Sequence, residues 1–180
     1  AWSTIESLRV SRRTGRSARM LFEVLGDIWA VERNPYLIDD LIVHPKRRKL
    51  LVREMSRRLE AVRQRSEGNS DVHWLVAEAS AAVSRFDNSF PKLIARREEV
   101  KKKLSAFTDP DNIRFDGFAR VTHVTDATDW RIEYPFVVLT PDREEEIAPL
   151  VRALFELRLT IIPRSGGTGY TGGAVPLYPD

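Results

Sequence analysis

Apolar side chains recur every three or four residues through most of the first hundred positions, as in helices with one buried face. One such face comprises Met20, Leu21, Val24, Leu25, Ile28 and Trp29. The helix that carries it is predicted to end at Asn34, because the residue before a proline disfavours helical backbone.

Three further helices are predicted in the same part of the chain. Pro45 suits the first turn of the second helix, Ser70 can cap the third, and the fourth runs from about Pro91. Their apolar positions are Leu51, Met55, Leu59 and Val62; then Val72, Leu75, Val76, Ala79, Val83 and Phe86; then Leu93, Val100 and Leu104. The lysines at 101–103 lie near the end of the fourth helix, where positive charge complements the helix dipole. The pattern therefore predicts a small helical bundle.

The apolar pattern changes after residue 108 and predicts a strand, a helix and a second strand. Residues 136–139 and 159–162 form short apolar runs rich in β-branched side chains, as buried strands do. Between them, Thr140 can cap a helix that has Pro141 in its first turn. The buried face of that helix would comprise Ile147, Leu150, Val151, Leu154 and Leu157. Such a βαβ unit has parallel strands.

Charge divides the chain at the same place. Residues 1–107 hold 22 Lys and Arg against 14 Asp and Glu, whereas residues 108–180 hold 7 against 12. Turn-forming residues at 108–112 suit a boundary. We therefore predict two domains, a helical extension over 1–107 and a second domain that begins at 108.

Composition excludes several classes of site. The chain has no cysteine, so residues 1–180 hold no disulfide, no thiolate nucleophile and no cysteine-bound metal. No apolar run approaches the roughly 18 residues that span a bilayer, and the first residues do not resemble a secretion signal. A cytoplasmic location is the expectation.

The basic first segment has two interpretations. Clustered Lys and Arg are typical of a module that binds nucleic acid or a partner protein. They are also typical of a solvated helix surface, which we favour because no zinc-finger or RNA-reading motif accompanies them. His44 and His73 lack metal-ligand spacing, and His123 precedes the predicted strands; we expect all three to be structural or surface residues.

A glycine-rich stretch follows the second predicted strand. Five of the nine glycines of the chain lie between Gly166 and Gly173, directly after Arg164 and Ser165. Glycine at this density lets several backbone N–H groups point into one concavity that suits an anion, especially a diphosphate. The alternative is a mobile turn. We favour binding because α/β sheets bind ligands beyond the carboxyl ends of their strands.

Two common phosphate motifs do not fit this stretch. Gly167, Gly169 and Gly172 match G-x-G-x-x-G, but prolines follow where that fingerprint needs a helix and then an acidic residue about 20 positions on. A Walker loop is excluded because no Lys-Ser or Lys-Thr follows the glycines.

Three stretches resemble the start of an FAD-linked oxidase domain of the p-cresol methylhydroxylase (PCMH) type. They are Thr-Asp-Ala-Thr-Asp-Trp-Arg at 125–131, Tyr-Pro-Phe-Val-Val-Leu-Thr-Pro at 134–141, and residues 163–176. Vanillyl-alcohol oxidase and the D-lactate and glycolate dehydrogenases share this domain. Residues 12–20 and 32–36 are similar to the N-terminal extension of large bacterial proteins that fuse the flavin domain to an iron–sulfur half.

The resemblance implies an α+β fold, a helical module followed by the first βαβ unit and the diphosphate loop of a PCMH-type domain. It implies FAD as cofactor, a D-2-hydroxy acid as substrate, and electron transfer to iron–sulfur centres or a quinone. The FAD contacts it implies are Arg164, Ser165, Gly166, Gly167, Thr168, Gly169, Gly172 and Gly173. No catalytic residue is expected within 1–180, so the 180 residues alone would be an inactive fragment.

This chain departs from the family pattern at two positions. Ser165 stands where relatives have the first glycine of the loop, and Arg158 stands where they have a helix-ending glycine. If Ser165 needs a positive φ angle, it would cost about 1 kcal/mol and weaken flavin binding.

Overall fold

The structure is a computed structural model that describes Glu6 and residues 15–66 and 68–178. Its contacts form two compact units, Ala1–Lys92 and Leu93–Asp180. Among the described residues, no helix combines the length and the apolar character needed to cross a membrane. Part of the 12–20 motif lies outside the described residues.

The described part of the first unit is a helical bundle, as predicted. It comprises α1 (Gly15–Glu32), α2 (Pro35–Val43), α3 (Pro45–Gln64) and the start of α4 (Ser70–Leu104), whose residues from Leu93 onward belong to the second unit. The core of the bundle is formed by Leu21, Val24, Ile28, Val31, Leu41, Met55, Leu59, Val62, Val72, Leu75, Val76, Ala79, Val83, Phe86 and Phe90.

Three details of the bundle correct the sequence analysis. Trp29 is exposed, so the apolar face of α1 is narrower than predicted. The short helix α2 was not predicted; Asn34 caps it, accepting from the N–H groups of Tyr36 (3.0 Å) and Leu37 (3.3 Å). The predicted third and fourth helices are one continuous helix with Pro91 inside it.

The second unit places a two-stranded sheet beside short helices. Strand β1 (Ile113–Arg114) pairs antiparallel with β2 (Val138–Leu139), and α5 (Gly117–Thr122) and α6 (Ile147–Glu156) complete it with 3₁₀ turns at Pro110–Asn112 and Glu144–Glu146. A core cluster of this unit is formed by Val100, Leu104, Ile113, Leu150, Ala153, Leu154, Leu157 and Leu159. A mostly helical chain with this small sheet is consistent with the coarse prediction of an α+β fold.

The parallel βαβ unit is not formed. Residues 159–162, predicted as a strand, have no strand assignment, and the partner of β2 is the unpredicted β1, in antiparallel register. Only Leu159 of this run is buried, whereas Ile161 is exposed. An apolar run favours extended backbone, but a strand also needs a neighbouring edge to pair with, which a local pattern does not specify.

Helix α6 begins later than predicted, which accounts for the proline within it. It starts at Ile147 rather than at Thr140, so Ile147 and Val151 are exposed instead of buried. Pro149 therefore lies in the first turn, where its missing N–H leaves no helical hydrogen bond unmade. Arg158, just after the helix, has a φ of +55°.

Candidate functional site

The glycine-rich loop, residues 164–173, lies at the surface of the second unit. Ser165, Gly166, Thr168 and Gly169 are exposed, and Gly167 is half-buried. No described residue accepts a hydrogen bond from the backbone N–H groups of residues 165–169. Because the N–H groups are unpaired at five consecutive positions of a surface loop, the loop offers a run of donors to a ligand.

Gly167 is a position that only glycine fits. Its φ is +66°, in the left-handed region, and a Cβ atom there would lie within the guanidinium group of Arg164. A hydrogen bond also holds that guanidinium, since its Nη1 donates to the carbonyl oxygen of Thr125 at 2.5 Å. Arg164 is therefore a fixed positive group packed against the backbone of the loop.

The segment 125–130, here called the clamp segment, holds the loop at a second point. The N–H of Ala127 donates to the carbonyl oxygen of Gly169 at 3.1 Å. Asp126 is buried, and its Oδ1 accepts from the N–H of Thr128 (2.9 Å) and from its hydroxyl (2.5 Å). These bonds close a tight polar turn.

Asp126 is ionised within that turn. Its pKa is lowered first by the Thr128 hydroxyl and next by the Thr128 N–H; burial acts the other way, and the N–H of Ala174 adds a smaller lowering effect. Its Oδ2 is buried without a partner of full hydrogen-bond geometry among the described residues. Asp126 and Arg164 bring opposite charges to the same site, so attraction for an anion depends chiefly on the backbone N–H array.

A third contact joins Trp130 of the clamp segment to Gly172. Gly172 has a φ of +73°, and a Cβ atom built on it would lie 2.8 Å from Cε3 of the Trp130 ring. The indole thus rests directly on the glycine backbone, and any larger residue would displace it. The turn continues with a hydrogen bond from the N–H of Val175 to the carbonyl oxygen of Gly172 at 3.1 Å.

The other predicted contacts have less specific geometry. Gly166 and Gly173 would tolerate a Cβ atom, whose nearest neighbours would be Thr168 at 3.7 Å and Thr171 at 3.6 Å. Gly169 would meet only Asp126, at 3.9 Å. Ser165 is not among the described residues with positive φ, so the strain considered above is absent. That these residues bind FAD remains a prediction.

Sequence reasoning missed the clamp segment as part of the site. The motif at 125–131 carries a family resemblance, but the sequence alone predicts no role for Asp126 or Trp130. Its density of short polar side chains was a usable signal, since Asp and Thr form local turns that place neighbouring side chains.

The remaining candidates are structural. Nδ1 of His123 lies 2.8 Å from the carbonyl oxygen of Ala119, at the end of α5. Nδ1 of His44 lies 3.0 Å from the Asp40 carboxylate. No cluster of three or more metal-ligand side chains occurs in the part of the chain that the structure describes.

Many arginines of the first unit are occupied by acidic neighbours. Ion pairs join Arg47 to Asp40 (2.6 Å), Arg57 to Glu54 (2.6 Å), Arg58 to Asp27 (2.9 Å) and Arg63 to Glu60 (2.8 Å). The pKa of Glu54 is lowered to about 2, chiefly by its hydrogen bond with Arg57 and further by Arg58, while burial acts in the opposite direction. These pairs reduce the positive electrostatic potential that would attract nucleic acid to this surface.

Comparison with known proteins gives partial matches. The chain is 30% identical over 79 residues to the glycolate oxidase subunit GlcD of Bacillus subtilis, and 32% identical over 79 residues to a D-lactate dehydrogenase of Archaeoglobus fulgidus. It is 31% identical over 88 residues to an alkyldihydroxyacetonephosphate synthase of Dictyostelium discoideum. Each match covers 44% of this chain, but only 17%, 16% and 14% of the respective relatives.

These matches support a relationship to the FAD-linked oxidase family, to which the sequence resemblance also points. Residues 1–88 match a family described as a protein of unknown function, DUF3683. No solved structure gives a significant match.

Proposed function

We propose that this chain supplies the diphosphate-binding loop of an FAD-dependent oxidoreductase that dehydrogenates a 2-hydroxy acid. The observation that carries the proposal is the run of unpaired N–H groups at 165–169, in a surface loop around a glycine of positive φ. A diphosphate has acceptor oxygens on two neighbouring phosphorus atoms, so it can use several consecutive donors at once.

The donor set fits the diphosphate of FAD. Backbone N–H groups of Ser165, Gly166, Gly167, Thr168 and Gly169 would hold it, and the guanidinium of Arg164 would add positive charge beside Gly167. Gly172 and Gly173 would line the continuation of the site. When bound, FAD would supply the two-electron acceptor for the oxidation.

The substrate class is taken from the names of two relatives. Glycolate and lactate are both 2-hydroxy acids, and the matched proteins are called an oxidase subunit and a dehydrogenase. We extend this to the D enantiomer and to an iron–sulfur or quinone acceptor on the strength of the family resemblance. Residues that bind the hydroxy acid are not assigned within 1–180.

Variants in which a glycine gains one methyl group test whether the backbone of the loop binds FAD. Gly167→Ala should abolish FAD binding to the chain, measured by titration calorimetry, because the Cβ atom displaces Arg164 and is strained at positive φ. Gly26→Ala is the matched control; it adds the same methyl group where no atom lies within 4 Å, and should bind normally. Arg164→Met should weaken binding about ten- to a hundredfold, the loss of one charge-assisted contact.

Two results would contradict the proposal. If Gly167→Ala binds FAD as tightly as the parent while Arg164→Met binds none, the loop binds through the Arg164 side chain and not through its backbone N–H groups. If the parent chain binds neither FAD nor inorganic pyrophosphate at millimolar concentration, the loop is not an anion site in this chain.

A further inference from the structure

Trp130 is exposed but held in place. It is 59% exposed, although tryptophan, a large apolar residue, is highly buried on average. The edge of its six-membered ring rests on Gly172, where the absent side chain leaves room for it. One edge of the indole therefore lies against backbone, and more than half of the residue is open to solvent.

A chain of hydrogen bonds fixes the backbone of Trp130 as well. Its N–H donates to Oγ1 of Thr128 at 3.4 Å, and that hydroxyl donates to the buried carboxylate of Asp126 at 2.5 Å. The same clamp segment holds Arg164 through Thr125 and Gly169 through Ala127. Trp130 and the loop of free N–H groups are thus parts of one polar framework.

We infer that Trp130 is a stacking platform for a planar heterocycle of the nucleotide whose diphosphate binds the loop. This rests on the proposed function and adds a specificity-determining residue to it. An aromatic side chain has few rotatable bonds and loses little conformational entropy when a ring stacks on it, so its exposed surface is well suited to this use. A ligand that is only a phosphate would gain nothing from it.

The test compares ligands with and without a ring on the 180-residue chain. Inorganic pyrophosphate, ADP, FMN and FAD are titrated by calorimetry into the parent and into Trp130→Leu. We expect Trp130→Leu to weaken the ring-containing ligands roughly 5- to 150-fold, as for loss of one stacked base, and to change pyrophosphate affinity less than about twofold. Trp130→Phe should retain part of the affinity.

The ligand series also separates the two rings of FAD. A loss confined to ADP and FAD assigns adenine to Trp130, and a loss confined to FMN and FAD assigns the flavin. As an independent readout, whichever of ADP and FMN loses affinity in Trp130→Leu should quench tryptophan fluorescence more strongly in the parent than in Trp130→Phe. The matched control is Trp29→Leu, which removes a similarly exposed indole from the first unit and should leave every affinity unchanged.

Three outcomes overturn the inference. Equal affinities of the parent and Trp130→Leu for ADP, FMN and FAD would show that the ring does not stack there. An equal loss for pyrophosphate would show that Trp130 only shapes the loop through Gly172. If the parent binds neither pyrophosphate nor FAD, the proposed function is contradicted, and the inference fails with it.

Discussion

Arg158 occupies a backbone position that normally belongs to glycine. The N–H of Arg158 donates to the carbonyl oxygen of Phe155, and that of Leu159 to the carbonyl oxygen of Leu154, both at 3.0 Å. This is the Schellman ending of a helix, and the buried Leu154 and Leu159 supply its usual apolar contact. The motif requires a left-handed residue, which for arginine is strained.

Replacing Arg158 should therefore stabilise the protein, provided that the new residue is glycine. We expect Arg158→Gly to raise the free energy of unfolding by about 0.5–1 kcal/mol, the relief of the strain less the greater entropy of an unfolded glycine. Arg158→Ala keeps the Cβ atom and should gain nothing. Urea denaturation measures both; an equal gain in the two variants would trace the effect to the arginine side chain instead.

The two departures from family glycines show what residue-level reasoning can reach. Arg158 stands where relatives have a helix-ending glycine, and it does have the positive φ angle that such a glycine adopts. At Ser165 the corresponding angle is not positive, since φ within a loop depends on contacts such as those of Arg164 and the clamp segment, which lie far apart in sequence.

At the scale of elements, periodicity predicted the helices better than their ends. The apolar faces of α3 and of α4 were correctly identified, because burial follows the helical repeat. The predicted break at Pro91 is absent, and Phe90 is fully buried beside it. A proline weakens a helix, but packing of the residues before and after it can stabilise a helix that continues past it.

The start of α4 offers a direct comparison of two caps. Asn69, not the predicted Ser70, accepts from the N–H groups of Asp71 (3.1 Å) and Val72 (3.2 Å). Asn69→Ala should therefore lower the free energy of unfolding by about 1 kcal/mol, and Ser70→Ala, one position inside the helix, by much less. Thermal denaturation of the two variants measures these losses of stability. A larger loss for Ser70→Ala would show that Ser70 is the cap, as the sequence predicted.

The sheet was the least predictable element. The strand at β2 was anticipated from its apolar run, but its partner β1 comprises only Ile113 and Arg114, too short to leave a periodic signal. Pairing depends on the contact between segments more than twenty residues apart, which propensity does not encode.

At the scale of the molecule, the two compact units differ in chemistry. The first carries a basic surface on which several arginines are paired with acids, and the second carries the loop and the clamp segment. Along the chain, the first compact unit ends at Lys92, whereas the balance of basic and acidic residues changes at residue 108. The domain boundary at 107 and 108 remains a prediction.

The charge pairing leads to an expectation about nucleic acid. We expect no binding of duplex DNA by the chain at about 0.1 M salt, measured by fluorescence anisotropy, because ion pairs already occupy several of the arginines. Binding whose logarithm falls steeply with the logarithm of salt, with a slope near −0.9 for each phosphate contact, would contradict this and favour an interaction module.

Amide hydrogen exchange with and without FAD tests the central claim most directly. In the free chain, residues 165–169 should exchange rapidly because no described group accepts from their N–H groups, whereas the N–H of Ala127, bonded to Gly169, should exchange more slowly. Saturating FAD should slow exchange at 165–169, and Gly167→Ala should prevent this. Strong protection of these amides in the free chain, or protection by FAD only elsewhere, would contradict the claim that the loop binds a diphosphate through its backbone.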